Sequence, residues 1–355
     1  PLVRALAAPP PPIRSTPRHH AGVLGLWGAR LHNLQNLDVT FPHRALTCVT
    51  GVSGSGKSTL LLDVLAPAAR AVLARGAVPE ERLAGIDGVE PLERVSVARG
   101  RPPRHPRATP GTVLGVLGPL RRLFAATLEA RARGWTPSRF SRQVKGGRCE
   151  ACRGTGARSV ALRTLAPVRV ACDACEGTGF AKETLRVRVK GLSIADVLAL
   201  DLEGAATLFR DLPAVAGPLR AATEVGLAYV PLGEPTSRLS GGEALRLRLA
   251  AALGRGGHVP TLYVLDEPCA GLHPADVEHL AALLLRLADE GHTLACVEHH
   301  PTLVRQADHL VELGPGPGEE GGRLLYEGPP RGLLDVAASP TGAWWRRQAN
   351  ALREA

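Results

Sequence analysis

The sequence predicts an α/β protein: a core written in two separated parts, with a smaller cysteine-bearing module between them. Three observations predict this. A glycine-rich loop ending in Gly56-Lys57-Ser58 follows an apolar run and opens a helical pattern. Strand–helix alternation returns only in the last third. Two C-x-x-C pairs, Cys149/Cys152 and Cys172/Cys175, stand in the Arg-, Gly- and Pro-rich middle.

Residues 1–20 hold a four-proline run and read as a linker. VLGLWGARL and LQNLDVTFP read as two short strands joined at His32–Asn33. Ala45–Thr50 is an apolar run that fits a buried strand. A helix is expected from Lys57 to Ala66, ended or kinked by Pro67. TLYVLDEP is a strand, Ala275–Glu290 a helix, TLACVEHH a strand and Pro301–Gln306 a short helix. HLVEL and GRLLYEG close the pattern as strands. The chain thus divides into a linker (1–20), a first core part (21–86), an insertion (87–258) with its cysteine module at 146–181, a second core part (259–340) and a tail (341–355).

Hydrophobic residues make up 45% and charged residues 21% of the 355, enough apolar content for a real core and against wholesale disorder. No apolar run approaches the roughly 18–20 residues of a membrane span; Leu280–Leu287 is broken by Arg286. The Pro-rich start has no signal-peptide pattern, so a cytoplasmic protein without membrane partners is expected. With no Met and with Pro at position 1, the chain reads as part of something longer. The net charge is +10, and Leu92–Arg148 holds 13 basic against 2 acidic residues. Codon bias accounts for Arg in place of Lys but not for acids avoiding one stretch. The block reads as a footprint for a polyanion, with nucleic acid the expected partner. Arg101, Arg104 and Arg107, in a Pro-rich segment, are the candidate DNA-phosphate contacts.

Gly51-Val52-Ser53-Gly54-Ser55-Gly56-Lys57-Ser58 fits G-x-x-x-x-G-K-[ST] at every fixed position. Glycines let successive backbone N–H groups turn toward a β-phosphate at a helix N-terminus. Lys57 can reach the β- and γ-oxygens, and the Ser58 hydroxyl can ligate Mg²⁺. With Thr59 these residues form the candidate ATP-binding set. Leu262–Leu265 then lead to two adjacent acids. Strand side chains alternate in direction, so the two have different roles. Asp266 is assigned to the Mg²⁺ shell, and Glu267 to orienting or deprotonating the attacking water. The next strand ends in Val297-Glu298-His299-His300, and His299 is placed at the ligand-facing sheet edge as a catalytic residue.

Ser240, Gly241, Gly242 and Glu243 precede an apolar helix, Ala244–Leu253, where bared N–H groups can receive a γ-phosphate. The four thiols, with 19 residues between the pairs, continue as CEACRGTG and CDACEGTG. This repeat of C-x-x-C-x-G-x-G suits tetrahedral Zn²⁺, held by Cys149, Cys152, Cys172 and Cys175. Cys48, Cys269 and Cys296 read as lone core residues.

LSGGE resembles the ABC ATPase signature, and the order of phosphate loop, signature, DE strand and His is the ABC order. With the four-Cys module inside it, the chain is similar to the second ATPase half of the UvrA family from about Leu26 to Pro329. TCVTGVSGSGKSTL, GRPPRHPRAT, GGRCEAC, LSGGEALRLRLA, LYVLDEPCAGLH and VEHHPTLVRQADHLVELGPGPGEEGG carry the similarity. The resemblance implies an ABC-type fold and a Mg²⁺-dependent, DNA-binding ATPase of DNA repair that dimerises, does not cut DNA, and loads a helicase-like partner through a half absent here. It also implies that the signature serves a nucleotide held by the other half or subunit. Four positions depart from the family's pattern: Ser96 where a Gln is usual, Leu245 for Gln after the signature, and Cys269-Ala270 for Thr-Thr. Slowed or differently gated hydrolysis is expected from them. A divergent paralogue protecting against a DNA-binding drug, a transporter ATPase subunit and a binding module with dead chemistry are the alternative readings.

Overall fold

A computed structural model describes residues 12–14, 16–18, 22–76, 78, 81–98, 108–160, 168–256 and 259–354. The chain divides into two compact units. The first holds Pro1–Pro102, Leu239–Ala252 and Gly256–Ala355; the second holds Pro103–Arg238 and Leu253–Arg255. Strands are numbered along the chain: β1 Val23–Ala29, β2 Leu37–Pro42, β3 Leu46–Gly51, β4 Gly85–Asp87, β5 Arg94–Ala98 and β6 Ala157–Val160. Then follow β7 Val168–Ala171, β8 Thr261–Asp266, β9 Thr293–Val297, β10 His309–Gly314 and β11 Arg323–Gly328.

The first unit is built on a six-stranded sheet of order β11-β10-β3-β9-β8-β5. All neighbours are parallel except β11, which pairs antiparallel with β10. Strands β3 and β9 are buried at every position and β8 at all but its last. That explains their continuous apolar runs: a parallel sheet covered on both faces has no polar side to alternate with. A smaller antiparallel sheet, β2-β1-β4, buries Leu24, Leu26, Val39 and Phe41 in one core with Val49, Leu61, Val264 and Val311. Residues 94–98 fall beyond the boundary read at 87, yet form the edge strand β5 of the main sheet. Cys48 and Cys296, lone in sequence, stand opposite one another in β3 and β9 with sulfurs 3.2 Å apart.

Three local expectations change. The helix after the phosphate loop does not end at Pro67. Thr59–Leu65 winds as a π-helix, and Ala66–Leu73 continues as an α-helix with Pro67 in its first turn. The wider turn accommodates a residue that has no N–H and whose ring would strike the carbonyl four residues back. The described residues of the expected linker are anchored: Arg14 and Arg18 both pair with buried Asp308, the latter at 3.0 Å. The expected tail lies in a helix, Pro340–Glu354, whose Trp345 is 1% exposed beneath the Arg305 guanidinium, 5.4 Å from its ring centroid.

The second unit is mostly helical, with Leu117–Ala125, Ile194–Ala199, Leu202–Leu208 and Pro213–Glu224 as helices and β6–β7 as an antiparallel hairpin. Phe124 and Phe140 stack at 5.4 Å in its core. Among the described residues no helix is long and apolar enough to cross a membrane.

Trp345→Ala removes a fully buried ring, so unfolding stability should fall by roughly 3–5 kcal/mol. Urea denaturation measures it; a loss below about 1 kcal/mol would mean the last helix is not docked.

Candidate functional site

The parallel sheet delivers the ends of β3, β8 and β9 to one edge, since Val49 pairs with Val297 and Asp266 with Val297. In such sheets that edge is where ligands bind. The loop after β3 has Gly51, Gly54 and Gly56 at φ of 126°, 78° and 102°. A Cβ at Gly51 would overlap the Leu313 carbonyl oxygen, so the loop's entry admits only glycine. Asn33 Nδ2 donates to Gly54 O at 3.1 Å and to Gly318 O at 3.0 Å, bracing the loop from two sides. Buried Lys57 donates to Gly51 O at 2.9 Å and to Val52 O at 2.6 Å. Burial lowers its pKa, an effect the Glu267 charge opposes. Ser55 Oγ is buried with no hydrogen-bond partner, a spare polar group inside the cradle. A phosphate fits this glycine-lined, lysine-bearing loop.

Ser58 Oγ lies 3.4 Å from Asp266 Oδ1, so the two oxygen groups suited to a Mg²⁺ ion stand side by side. Glu267 adopts φ 49°, a left-handed conformation costing a side-chain-bearing residue about 1–2 kcal/mol. Its N–H donates to Val297 O at 2.9 Å, which holds the turn. The His299 pKa is lowered by burial and then by the Lys57 charge, against the pull of Glu298 and Glu267. Loop lysine, strand-end acid and histidine therefore share one electrostatic neighbourhood.

Sequence reasoning passed over Glu298. It is 4% exposed, and its Oε1 accepts from His299 N at 2.6 Å and His300 N at 2.9 Å. Its Oε2 accepts from Cys269 N at 2.8 Å. One carboxylate thus fixes both the turn after β8 and the turn after β9. The available signal was an acid inside an apolar strand end, where an unpaired charge is too costly to be idle.

Ser96, which stands where the family's Gln is usual, lies in β5. It pairs with Tyr263, inside β8, while the position opposite Asp266 lies outside the described residues. Ser240 and Glu243 form a capping box: Ser240 N donates to Glu243 Oε2 at 2.7 Å, and Glu243 N to Ser240 Oγ at 3.2 Å. Ser240, Gly241 and Gly242 line one cavity with Asp266 and Glu267, and a Cβ at Gly242 would lie 2.6 Å from Ala270 O.

In the second unit the four cysteine sulfurs all lie within 4.8 Å of one another and are buried. Tetrahedral Zn–S bonds of ~2.3 Å would place sulfurs about 3.8 Å apart; Cys152 and Cys175 are at 3.7 Å. The two knuckles are cross-bonded, Cys149 N to Gly179 O and Cys172 N to Gly156 O, both 2.9 Å. A Cβ at Gly156 would overlap Gly177 O, so the second glycine of that knuckle is needed for this approach. Burial raises the Cys175 thiol to about 12. For Cys152, burial is opposed by bonds from the Gly156 N–H, the Cys175 thiol, the Gly154 N–H and the Cys149 thiol, which together bring it down to about 7. The donor set suits Zn²⁺.

Arg101, Arg104 and Arg107 lie outside the described residues. Elsewhere the basic block is partly neutralised: Arg139 pairs with Glu183 at 2.9 Å, Arg133 with Glu129 at 2.9 Å and Arg148 with Glu150 at 3.2 Å.

Glu298→Gln keeps the shape but turns one acceptor oxygen into a donor facing an N–H. Stability should fall by about 1–3 kcal/mol, and the His299 NMR titration should move from its position in the unaltered protein. An unchanged histidine titration in a folded variant would separate Glu298 from the site. Replacing any one of the four module cysteines by Ser should cost the bound metal and melt mainly the 146–181 region. Elemental analysis of chelator-free protein with no zinc would refute the metal assignment.

No protein-family model matches the chain. UvrABC system protein A of a Synechocystis species is 43% identical over 322 residues, 90% of this chain and 33% of that protein. Its Thermus thermophilus counterpart is 45% identical over 325 residues, 91% of this chain and 34% of that protein. The crystal structure of UvrA2 from Deinococcus radiodurans matches with a TM-score of 0.84 and 44% identity, covering 96% of this chain and 41% of that one. Spanning about one third of the length of these sequence relatives, the chain is UvrA-like over 90–91% of its own length.

Proposed function

We propose that this chain is one ATP-hydrolysing, DNA-binding half of a UvrA-type damage-recognition ATPase. The observation that supports this best is the meeting of the Gly51–Ser58 loop, Asp266, Glu267 and His299 at one sheet edge. In this reading the Gly51–Thr59 segment cradles the ATP phosphates and Lys57 leaves its carbonyl partners for the β- and γ-oxygens. Ser58 and Asp266 would hold Mg²⁺, which would neutralise negative charge on the ATP phosphates. Glu267 orients the attacking water and accepts its proton as the oxygen bonds to phosphorus and the ADP oxygen leaves. His299, whose pKa burial and the Lys57 charge lower, is suited to hydrogen-bond the γ-phosphate or the water.

Ser240, Gly241, Gly242 and Glu243 serve a nucleotide on a second copy or on the missing half, so the working site is composite. Arg101, Arg104 and Arg107 contact DNA phosphates, positioning the duplex without reading bases. Zn²⁺ on the four thiolates supplies a structural crosslink for the insertion. A helicase-like UvrB partner engages parts of the protein beyond this chain, and the setting is cytoplasmic.

Glu267→Gln should keep ATP binding and reduce turnover at least about a hundredfold, whereas Lys57→Ala should weaken ATP binding itself. Both are read by nucleotide binding and phosphate release, with DNA present and with protein concentration varied. Turnover by Glu267→Gln at the rate of the unaltered protein would overturn the role of Glu267.

A further inference from the structure

The second unit holds a cavity of about 300 Å³ that the nucleotide chemistry does not use. Arg121, from the helix Leu117–Ala125, and Arg142, just after the turn Pro137–Phe140, both line it. Arg142 is fixed in place. Its Nη2 donates to Gly233 O at 3.2 Å, and its Cδ lies 3.1 Å from where a Cβ on Gly179 would stand. Its carbonyl closes on Gly154, where any Cβ would overlap it. The arginine is thus wedged under both cysteine knuckles.

Among the described residues, no carboxylate pairs with Arg121 or Arg142. Arg238, also at the wall, is satisfied by Glu234 at 3.0 Å. Burial lowers the pKa of both Arg121 and Arg142, and the Arg121 charge lowers that of Arg142 further. Two half-sequestered guanidiniums line the same cavity, an arrangement that favours an anion between them. The rest of the wall is mixed: hydroxyls of Thr109 and Ser237, and apolar surface from Phe140, Phe180 and Ile194. Guanidinium forks beside hydroxyls match phosphate oxygens, and the apolar wall matches a ring or hydrocarbon attached to them.

We propose that this cavity binds a small phosphate monoester with an apolar or aromatic body, its phosphate held by Arg121 and Arg142. The volume suits a ligand up to roughly mononucleotide size and excludes duplex DNA. The ligand could come from a free metabolite or from the end of a nucleic acid strand; both present the same monoester.

Phenyl phosphate is the probe, titrated calorimetrically into the full chain with ADP and Mg²⁺ in excess to occupy the phosphate loop. One binding event is expected. It should weaken at least about tenfold in Arg121→Gln and in Arg142→Gln, with partial recovery in Arg121→Lys. Phenol and inorganic phosphate should each bind more weakly than phenyl phosphate. Retained zinc and an unchanged circular dichroism spectrum establish that the variants are folded. Competition by thymidine 5′-monophosphate alone identifies a free metabolite as the source. Competition by a 5′-phosphorylated oligonucleotide, lost when its phosphate is removed, identifies a strand end. Absence of binding up to roughly 10 mM, or equal affinity in the folded Arg121→Gln and Arg142→Gln variants, overturns the proposal. ATP turnover plays no part in the readout, so failure here leaves the nucleotide-site reading untouched.

Discussion

The ligand-facing sheet edge of the first unit depends on one buried carboxylate. Glu298 accepts three backbone N–H groups, two from the turn that begins with His299 and one from Cys269 in the turn after β8. A carboxylate in that position must be fully hydrogen-bonded, because an uncompensated charge there costs several kcal/mol. The requirement runs both ways. The N–H groups that satisfy Glu298 are held by it, so the turns carrying Glu267 and His299 cannot move independently. Glu267 in its left-handed conformation, with its own N–H on Val297 O, sits inside the same clamp. The strain in one residue is supported by bonds made by its neighbours.

Chemistry with a local signature was legible in the sequence. The phosphate loop needs glycines, a lysine and a hydroxyl within eight positions, and the strand-end acids follow directly on an apolar run. The four cysteines repeat their own glycine pattern. Features set by residues far apart in sequence were not legible. Glu298 gains its meaning only when β8 lies beside β9. Asp308 reaches Arg14, Arg18 and the Leu46 N–H at the start of β3, which no spacing encodes. The pairing of Cys48 with Cys296 required parallel register between two strands some 250 residues apart. At Pro67 the helix changes type without ending: the π-helix Thr59–Leu65 gives way to an α-helix with Pro67 in its first turn, where a missing N–H costs least.

Charge counting along the sequence had a comparable limit. The basic block contains few acids, but Glu183, outside it, bonds Arg139, while Arg133 and Arg139 also lie over the Trp135 ring at 5.0 and 4.4 Å. Such arginines are partly spent on local structure, as amphipathic side chains commonly are. The field available to a polyanion is therefore smaller than the count suggests. Arg121 and Arg142 line a cavity, and among the described residues no ion pair with a carboxylate engages either.

The signature segment shows why a motif can be structural and functional at once. Its Ser240 and Glu243 satisfy each other's backbone as a capping box, which a helix start of small residues requires in any case. In the composite-site reading, an incoming γ-phosphate would seek the same bared N–H groups. It would meet the Glu243 carboxylate already on the Ser240 N–H, and two anions cannot share one donor cheaply. Docking a nucleotide there must then either displace Glu243 or use the Gly241 and Gly242 N–H groups beside it. In that reading, the cap that holds the helix start together also sets the electrostatic threshold a partner's nucleotide would have to overcome.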